Sequence, residues 1–311
     1  MSLINPWREI YDSAKSRDPW KYGVPDFALY LDVEPTNHCN FNCKFCVSKQ
    51  AKRPRGYMDM DLYREICRQG QKYGTRGIRF LRWGEPLLNR NMVDMVDIAT
   101  KHNLLTQITT NGSLLTEDMA SGLVHAGLST IIVSMQGLNE AEYTRFRGDN
   151  YDKTIQGLKN LCDFRDKNGY LNPYIVISTT ITDENEEDIE KFKEKWKKVV
   201  DDVSVGYTWF KRLKNKEPIK DYISRAKVLP HYFRCQEVMI KLSIDWDGTV
   251  SPCCLDYDQQ LSVGNMKDNT LMELWLSPQV KAIRTLLSQK RQDMFALCQT
   301  CELNYGFRGQ E

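Results

Sequence analysis

The residue pattern with the clearest chemical content is Cys39-Asn-Phe-Asn-Cys43-Lys-Phe-Cys46, three thiols separated by three and then two other residues. A loop with that spacing can wrap three corners of an iron–sulfur cube. Three thiolates leave the fourth iron open, and an open metal position is where a small molecule can coordinate. A zinc site is the competing reading, with His38 as the fourth ligand.

A second group lies toward the C-terminus. Cys235, Cys253, Cys298 and Cys301 are separated by 17, 44 and 2 residues, and Cys254 directly follows Cys253. Four thiolates can saturate one [4Fe–4S] cluster or one zinc, and spacing alone does not separate the two. Cys254 is surplus to such a site. Cys67 and Cys162 fall at apolar helical positions and read as core residues.

The elements that must position these thiols alternate along the chain. Ala28–Glu34 reads as a strand that leads into the first cysteine loop. Helices are expected over Met60–Tyr73, Asn91–His102, Thr116–Gly127 (Thr116 as N-cap), Tyr151–Lys167 and Glu184–Val199. Strands are expected over Gly77–Leu81, Leu105–Thr110, Ser129–Met135, Tyr174–Ile181 and Asp202–Trp209. Strand and helix thus alternate about six times, which implies a parallel sheet covered by helices. Six units fall short of a closed eight-unit barrel, so the expectation is α/β with an open, partial (β/α)6 barrel. Functional loops then sit at the C-terminal ends of the strands, where the first cysteines are. Residues 1–27 read as an N-terminal arm, 28–210 as the barrel, 211–234 as a linker and 235–311 as a smaller unit. In the last, Val238–Ile244 and Thr249–Ser251 form a hairpin across Asp245-Trp246-Asp247-Gly248, and Leu271–Leu287 forms a helix.

Composition sets the outer limits. The 311 residues are 41% hydrophobic and 27% charged, with a formal net charge of +2, so a nucleic-acid partner held by bulk charge is not expected. The run Lys191, Lys193, Lys195, Lys197, Lys198 is interleaved with Glu and aromatics and reads as a solvated helix face. The N-terminus lacks the apolar core of a signal peptide, and no apolar run approaches the ~18 residues that span a bilayer. A soluble, cytoplasmic protein is expected, and in a reducing compartment clustered cysteines favour metal over disulfides.

The first cysteine motif, at the end of strand one and with Phe45 before its last cysteine, resembles the radical S-adenosylmethionine (SAM) superfamily over roughly residues 28–210. The resemblance implies that Cys39, Cys43 and Cys46 hold a [4Fe–4S] cluster whose open iron is chelated by SAM. One-electron cleavage of SAM then gives methionine and a 5′-deoxyadenosyl radical. Phe45 matches a residue that packs against the adenine. Trp83-Gly84-Glu85-Pro86 resembles the family's Gly-Gly-Glu-Pro, which receives the methionine ammonium, with Trp83 in place of the first Gly. Asn111 matches a turn near SAM. Ser134 and Gln136 match a Ser-x-Asp-Gly that contacts the ribose and carboxylate region, with Gln136 replacing Asp. Arg147 matches a position that faces the SAM carboxylate.

The C-terminal cysteines resemble the SPASM domain, or its shortened twitch form, which holds auxiliary [4Fe–4S] clusters. Five cysteines rather than seven imply one auxiliary cluster, on Cys235, Cys253, Cys298 and Cys301. The spacing is closest to radical SAM dehydrogenases and epimerases of aminoglycosides. The resemblance therefore implies hydrogen abstraction from a polar, sugar- or aminocyclitol-like substrate. Epimerisation with Cys254 as hydrogen donor stands slightly ahead of two-electron oxidation through the auxiliary cluster. Asp256 and Glu237 are the nearby candidates for a general base, and Tyr207, Trp209 and the basic linker for lining the substrate pocket. The chemistry calls for a flavodoxin or ferredoxin-type reductant. A peptide substrate and a non-catalytic zinc scaffold are the remaining readings.

Overall fold

The computed structural model describes residues 3–16, 21, 23–182, 184–208, 212–217, 220 and 235–301. Trp209, Lys211, the Tyr207 side chain and most of the linker expected over 211–234 lie outside the described residues.

Six strands form the parallel part of the sheet: β1 (Tyr30–Val33), β2 (Gly77–Phe80), β3 (Leu105–Thr110), β4 (Thr130–Ser134), β5 (Tyr174–Ile181) and β6 (Asp202–Tyr207). They pair in chain order, each parallel to the next. Their β-branched content suits a pleated surface, as in Thr130-Ile-Ile-Val-Ser134. Helix α1 (Arg8–Ser16) precedes the sheet, and one face is covered by α2 (Met60–Tyr73), α3 (Met92–Lys101), α4 (Glu117–His125), α5 (Glu140–Arg147), α6 (Tyr151–Lys167) and α7 (Glu186–Trp196). Leu31, Val33, Ile78 and Phe80 point to that face and are fully buried with Tyr63, Ile66 and Cys67 of α2. The expected open partial barrel is thus present.

Local signals fix the helix ends. The Asp59 side chain accepts from the N–H groups of Asp61 and Leu62 to start α2, and Gly74, at φ +86°, ends it. Thr116 caps α4 as expected. Helix α1 closes the N-terminal end of the barrel. The Trp7 indole donates to the Thr106 carbonyl at 3.3 Å and lies against Gly77, and the Tyr11 hydroxyl donates to Gln107 at 2.9 Å. The opposite end holds the cysteine loop.

The C-terminal unit joins the same sheet. Strand β7 (Lys241–Ile244) runs parallel to β1, with Tyr30 opposite Lys241 and Val33 opposite Ile244. Strands β8 (Thr249–Ser251) and β9 (Gly264–Asn265) follow antiparallel. The first expected hairpin strand begins only at Lys241, because Glu237–Ile240 form a short helix, α8. The single helix expected over Leu271–Leu287 is two, α9 (Leu271–Trp275) and α10 (Pro278–Ser288). Pro278 lacks an N–H and opens a new helix, with Ser277 as its cap. Helix α11 (Ala296–Gln299) carries Cys298.

Candidate active site

The first thiol loop follows β1 and is held by its own backbone. The Phe41 N–H points at Cys39 Sγ and the Ser48 N–H at Cys46 Sγ, each at 3.4 Å. Burial pushes the Cys39 thiol up to about 11 and raises Cys46 as well, while these N–H groups favour the thiolate. A bound metal would supply the positive charge that such thiolates need. Arg147, at the end of α5, approaches Cys43 Sγ at 3.9 Å and covers the Phe45 ring at 5.2 Å.

The turn after β2 presses on this loop. A Cβ on Gly84 would stand 2.1 Å from the Thr36 carbonyl oxygen, so only glycine fits. The Glu85 N–H donates to the His38 carbonyl at 2.7 Å. The Glu85 carboxylate takes the Thr110 hydroxyl at 2.6 Å and the N–H groups of Asn111 and Leu87 at 2.7 and 3.1 Å. Burial pushes that carboxyl up to about 7, against those three donors. Glu85 therefore ties the ends of β2 and β3 together. The Asn111 side chain donates to Asn40 of the cysteine loop at 2.8 Å. Gln136 is fully buried beyond β4, where its Nε2 donates to Thr180, Thr182 and Glu184. Half-buried Ser134 ends β4.

Polar atoms around this end of the barrel are left without partners. Trp83 Nε1, Gln136 Oε1, Arg147 Nε, Thr179 Oγ1 and Thr180 Oγ1 are buried with no hydrogen bond among the described residues. Such groups call for a ligand carrying both donors and acceptors. Together with the three thiols of the first loop they suit SAM and the cluster that chelates it.

The second thiol set lines one cavity. Cys235, Cys253, Cys254, Cys298 and Cys301 share its wall with Glu237, Arg212 and apolar residues of α10 and α11. None of the five enters a disulfide. Among the described residues no three Cys, His, Asp or Glu side chains stand close enough to hold a single metal ion. The donor set and its dry surround suit a larger thiolate-bound group. Arg212 draws two cysteine segments together, donating to the carbonyls of Leu255 and Leu297, each at 2.8 Å. Cys254, surplus by count, lies on this same wall, where burial pushes its thiol up to about 12. The Asp256 carboxylate is spent on the N–H groups of Asp258, Gln260 and Leu261. Glu237 keeps part of its side chain open, 3.6 Å from Lys241.

Residues that sequence reasoning left without a role join the two sets. The Arg82 side chain is fully buried; it donates to Asp245 at 2.6 and 3.0 Å, to the Cys253 carbonyl at 3.1 Å and to the Asp256 carbonyl at 2.9 Å. Arg53 forks onto Glu34 at 2.5 Å and donates to the Tyr257 carbonyl at 2.9 Å. Beneath them Asp32 takes Lys241 at 2.5 Å and Arg79 at 2.6 Å, with Asp32 and Lys241 fully buried. The available signal was a charge at the inward position of an otherwise apolar strand: Asp32 in Tyr30-Leu-Asp-Val33, Arg79 in Gly77-Ile-Arg-Phe80, Lys241 in Lys241-Leu-Ser-Ile244.

Comparison with known proteins agrees with this geometry. The model of the radical SAM superfamily matches residues 33–195, and that of SPASM, an iron-sulfur cluster-binding domain, matches residues 235–302. The chain belongs to the radical SAM superfamily and carries a SPASM domain, and it is an enzyme that uses SAM and [4Fe–4S] clusters. A curated relative, the tungsten-containing aldehyde ferredoxin oxidoreductase cofactor-modifying protein of Pyrococcus furiosus, is 31% identical over 158 residues, 50% of this chain and 44% of its own. The chain spans about half the length of the curated relatives it matches. Among solved structures, BtrN in complex with AdoMet and 2-DOIA is 22% identical, with TM-score 0.59, over 88% of this chain and 93% of its own. Streptococcus suis SuiB bound to precursor peptide SuiA is 20% identical, with TM-score 0.66, over 97% and 77%. At these identities the two structures speak to the fold. No helix of the described residues is long and apolar enough to cross a membrane.

Proposed function

We propose that this enzyme oxidises a secondary alcohol of a polar, carbohydrate- or aminocyclitol-like small molecule to a ketone, with the C-terminal thiol site as acceptor of the second electron. The observation that carries this reading is the position of Cys254. Cys254 lines a cavity with Cys235, Cys253, Cys298 and Cys301, whereas Phe45 and Trp83 pack in a separate cluster.

Cys39, Cys43 and Cys46 would hold the SAM-binding cluster, and the C-terminal thiols the auxiliary one. When bound, SAM and its cluster supply a primary carbon radical able to remove hydrogen from an unactivated C–H bond. The chain's own groups do the rest. The Arg147 guanidinium supplies positive charge beside Cys43 and Phe45, suited to a carboxylate. Gln136 Oε1 and the hydroxyls of Thr179 and Thr180 offer hydrogen bonds to ribose or substrate hydroxyls. Val47, Phe146, Leu213, Phe45, Trp83, Ile181 and Tyr257 pack together and keep water from a reactive intermediate. Loss of hydrogen from the carbinol carbon leaves one electron and the hydroxyl proton to remove, and Glu237, on the wall of the C-terminal thiol cavity, is our candidate to take the proton.

Epimerisation is the second reading, favoured by one thiol in excess of four. Anaerobic incubation of reconstituted enzyme with SAM, dithionite and a panel of aminocyclitols and sugars in D2O distinguishes the two. Oxidation gives a product lighter by two hydrogens and free of deuterium at carbon, alongside 5′-deoxyadenosine. An isomer of unchanged formula carrying one carbon-bound deuterium would replace oxidation with epimerisation. Turnover confined to peptides would remove the small-molecule reading.

A further inference from the structure

We propose that the Arg212 guanidinium, on the wall of the C-terminal thiol cavity, is the counter-cation of the cluster held there and raises that cluster's reduction potential. The inference deepens the oxidation reading above and rests on it: Cys235, Cys253, Cys298 and Cys301 hold a group that takes up one electron.

The backbone around Arg212 is held by the first cysteine loop. Gln50, shortly after Cys46, donates to the Arg212 carbonyl at 3.2 Å and accepts from the Lys214 N–H at 2.8 Å. Leu213 is buried in the cluster that contains Val47 and Phe146. The Arg212 side chain belongs to the other thiol set and lines its cavity. Its Nη1 donates to the Leu255 carbonyl and its Nη2 to the Leu297 carbonyl, each at 2.8 Å, and its Nε donates to the Thr300 hydroxyl at 3.3 Å. Each acceptor adjoins a cavity cysteine: Leu255 follows Cys254, Leu297 precedes Cys298 and Thr300 precedes Cys301. Burial raises the Cys253 and Cys298 thiols, the second to about 12, and the Arg212 charge works against that rise at both.

All three acceptors are neutral. They satisfy hydrogen bonds of the guanidinium and leave its charge unmatched, and among the described residues no carboxylate pairs with it. A half-buried cation with neutral partners costs desolvation free energy unless an anion stands near it. Lys241 does not fill this role: its charge also reaches Cys253 and Cys254, but Asp32 matches it at 2.5 Å. The wall's opposite charge is Glu237, 3.6 Å from Lys241 and 3.9 Å from Arg79. Four thiolates around a [4Fe–4S] core leave a net charge of about −2, which becomes about −3 on one-electron reduction. A fixed cation on a dry wall stabilises the more negative state more, and so favours reduction. The electron gained here is the one that the substrate radical loses as its hydroxyl proton leaves to a base. A polar, uncharged side chain at this position would keep the clamp between the thiol segments and lose the charge effect.

The test is an EPR-monitored redox titration of the reconstituted chain in a Cys39→Ala/Cys43→Ala/Cys46→Ala background, where only the C-terminal site contributes, with iron counted in the same samples. The parent is compared with Arg212→Gln, Arg212→Lys and Glu237→Gln. Arg212→Gln should keep about four irons. It should shift the equilibrium about tenfold away from the reduced cluster, which is about 59 mV for one electron. Arg212→Lys should recover most of that shift, and Glu237→Gln should move the potential the opposite way. An unchanged potential in Arg212→Gln with iron retained would overturn the proposal. So would an Arg212→Lys potential as low as that of Arg212→Gln, or a Glu237→Gln shift that is absent or of the same sign. If Arg212→Gln fails to hold iron, Arg212→Lys decides: iron retained near the parent potential supports the charge role, and iron lost overturns it. A parent without iron would overturn the reading of the site and this proposal with it, and the iron count separates that failure from the others.

Discussion

Arg82 and Cys253 stand 171 residues apart in sequence, yet the Arg82 Nη1 donates to the Cys253 carbonyl at 3.1 Å. Arg82 directly precedes the Trp83-Gly84-Glu85 turn, and its backbone sits at φ +122°, which side chains rarely adopt. The Trp83-Gly84-Glu85 turn and the loop bearing Cys253 are therefore held by one side chain. Replacing Arg82 with Met leaves Asp245 buried without its closest cation, a loss of about 3–5 kcal/mol. Arg82→Met should bind SAM more weakly and shift the EPR spectrum of the auxiliary cluster as well. Arg82→Lys should recover part of both. A change confined to SAM affinity would show that the two loops are independent.

The Asp32–Lys241–Arg79 group lies deeper and is structural. Burial alone would raise the Asp32 carboxyl, but Arg79 and Lys241 outweigh it and hold it well below the usual carboxylate range. Its contribution is thus present above the unfolded pKa, near 4, and is lost as pH falls through the folded value. Asp32→Asn should cost about 3–5 kcal/mol at pH 7 by leaving two cations short of a buried partner. Urea denaturation checks this, and the gap between variant and wild type should narrow only below about pH 4.

Gly84 meets the Thr36 carbonyl so closely that a methyl group cannot be absorbed. Gly84→Ala should displace the first cysteine loop, abolish measurable SAM binding by calorimetry and leave the C-terminal cluster in place. Retained SAM affinity would mean that the loop can move aside freely.

Cys254 separates the two proposed outcomes. Cys254→Ala should keep the auxiliary iron and the same oxidised product, with turnover reduced less than tenfold. Loss of the product with the iron intact would instead give Cys254 a part in the chemistry.

Much of this was readable from residue order. Met60–Tyr73, Tyr151–Lys167 and Tyr174–Ile181 begin and end where caps and periodicity place them. The cysteine motifs stood out because metal ligation tolerates few spacings. What escaped depends on contacts remote in sequence. Helix α5 is polar and short, capped by Asn139, and carries a weak apolar stripe. The pairing of β7 with β1 joins segments about 210 residues apart, which local pattern does not encode. Arg82 carries no local signal because its partners, Asp245 and Cys253, belong to the other unit.

The central claim is that two separate thiol sites each hold a [4Fe–4S] cluster, the first of which binds SAM. Iron and sulfide analysis with Mössbauer spectroscopy of anaerobically reconstituted protein tests it most directly, beside a Cys39→Ala/Cys43→Ala/Cys46→Ala variant. The account predicts about eight irons in the wild type and about four in the variant, with SAM perturbing only the cluster that the variant lacks. About four irons in the wild type and none in the variant would contradict it, leaving the C-terminal thiols without a cluster and the proposed oxidation without its electron acceptor.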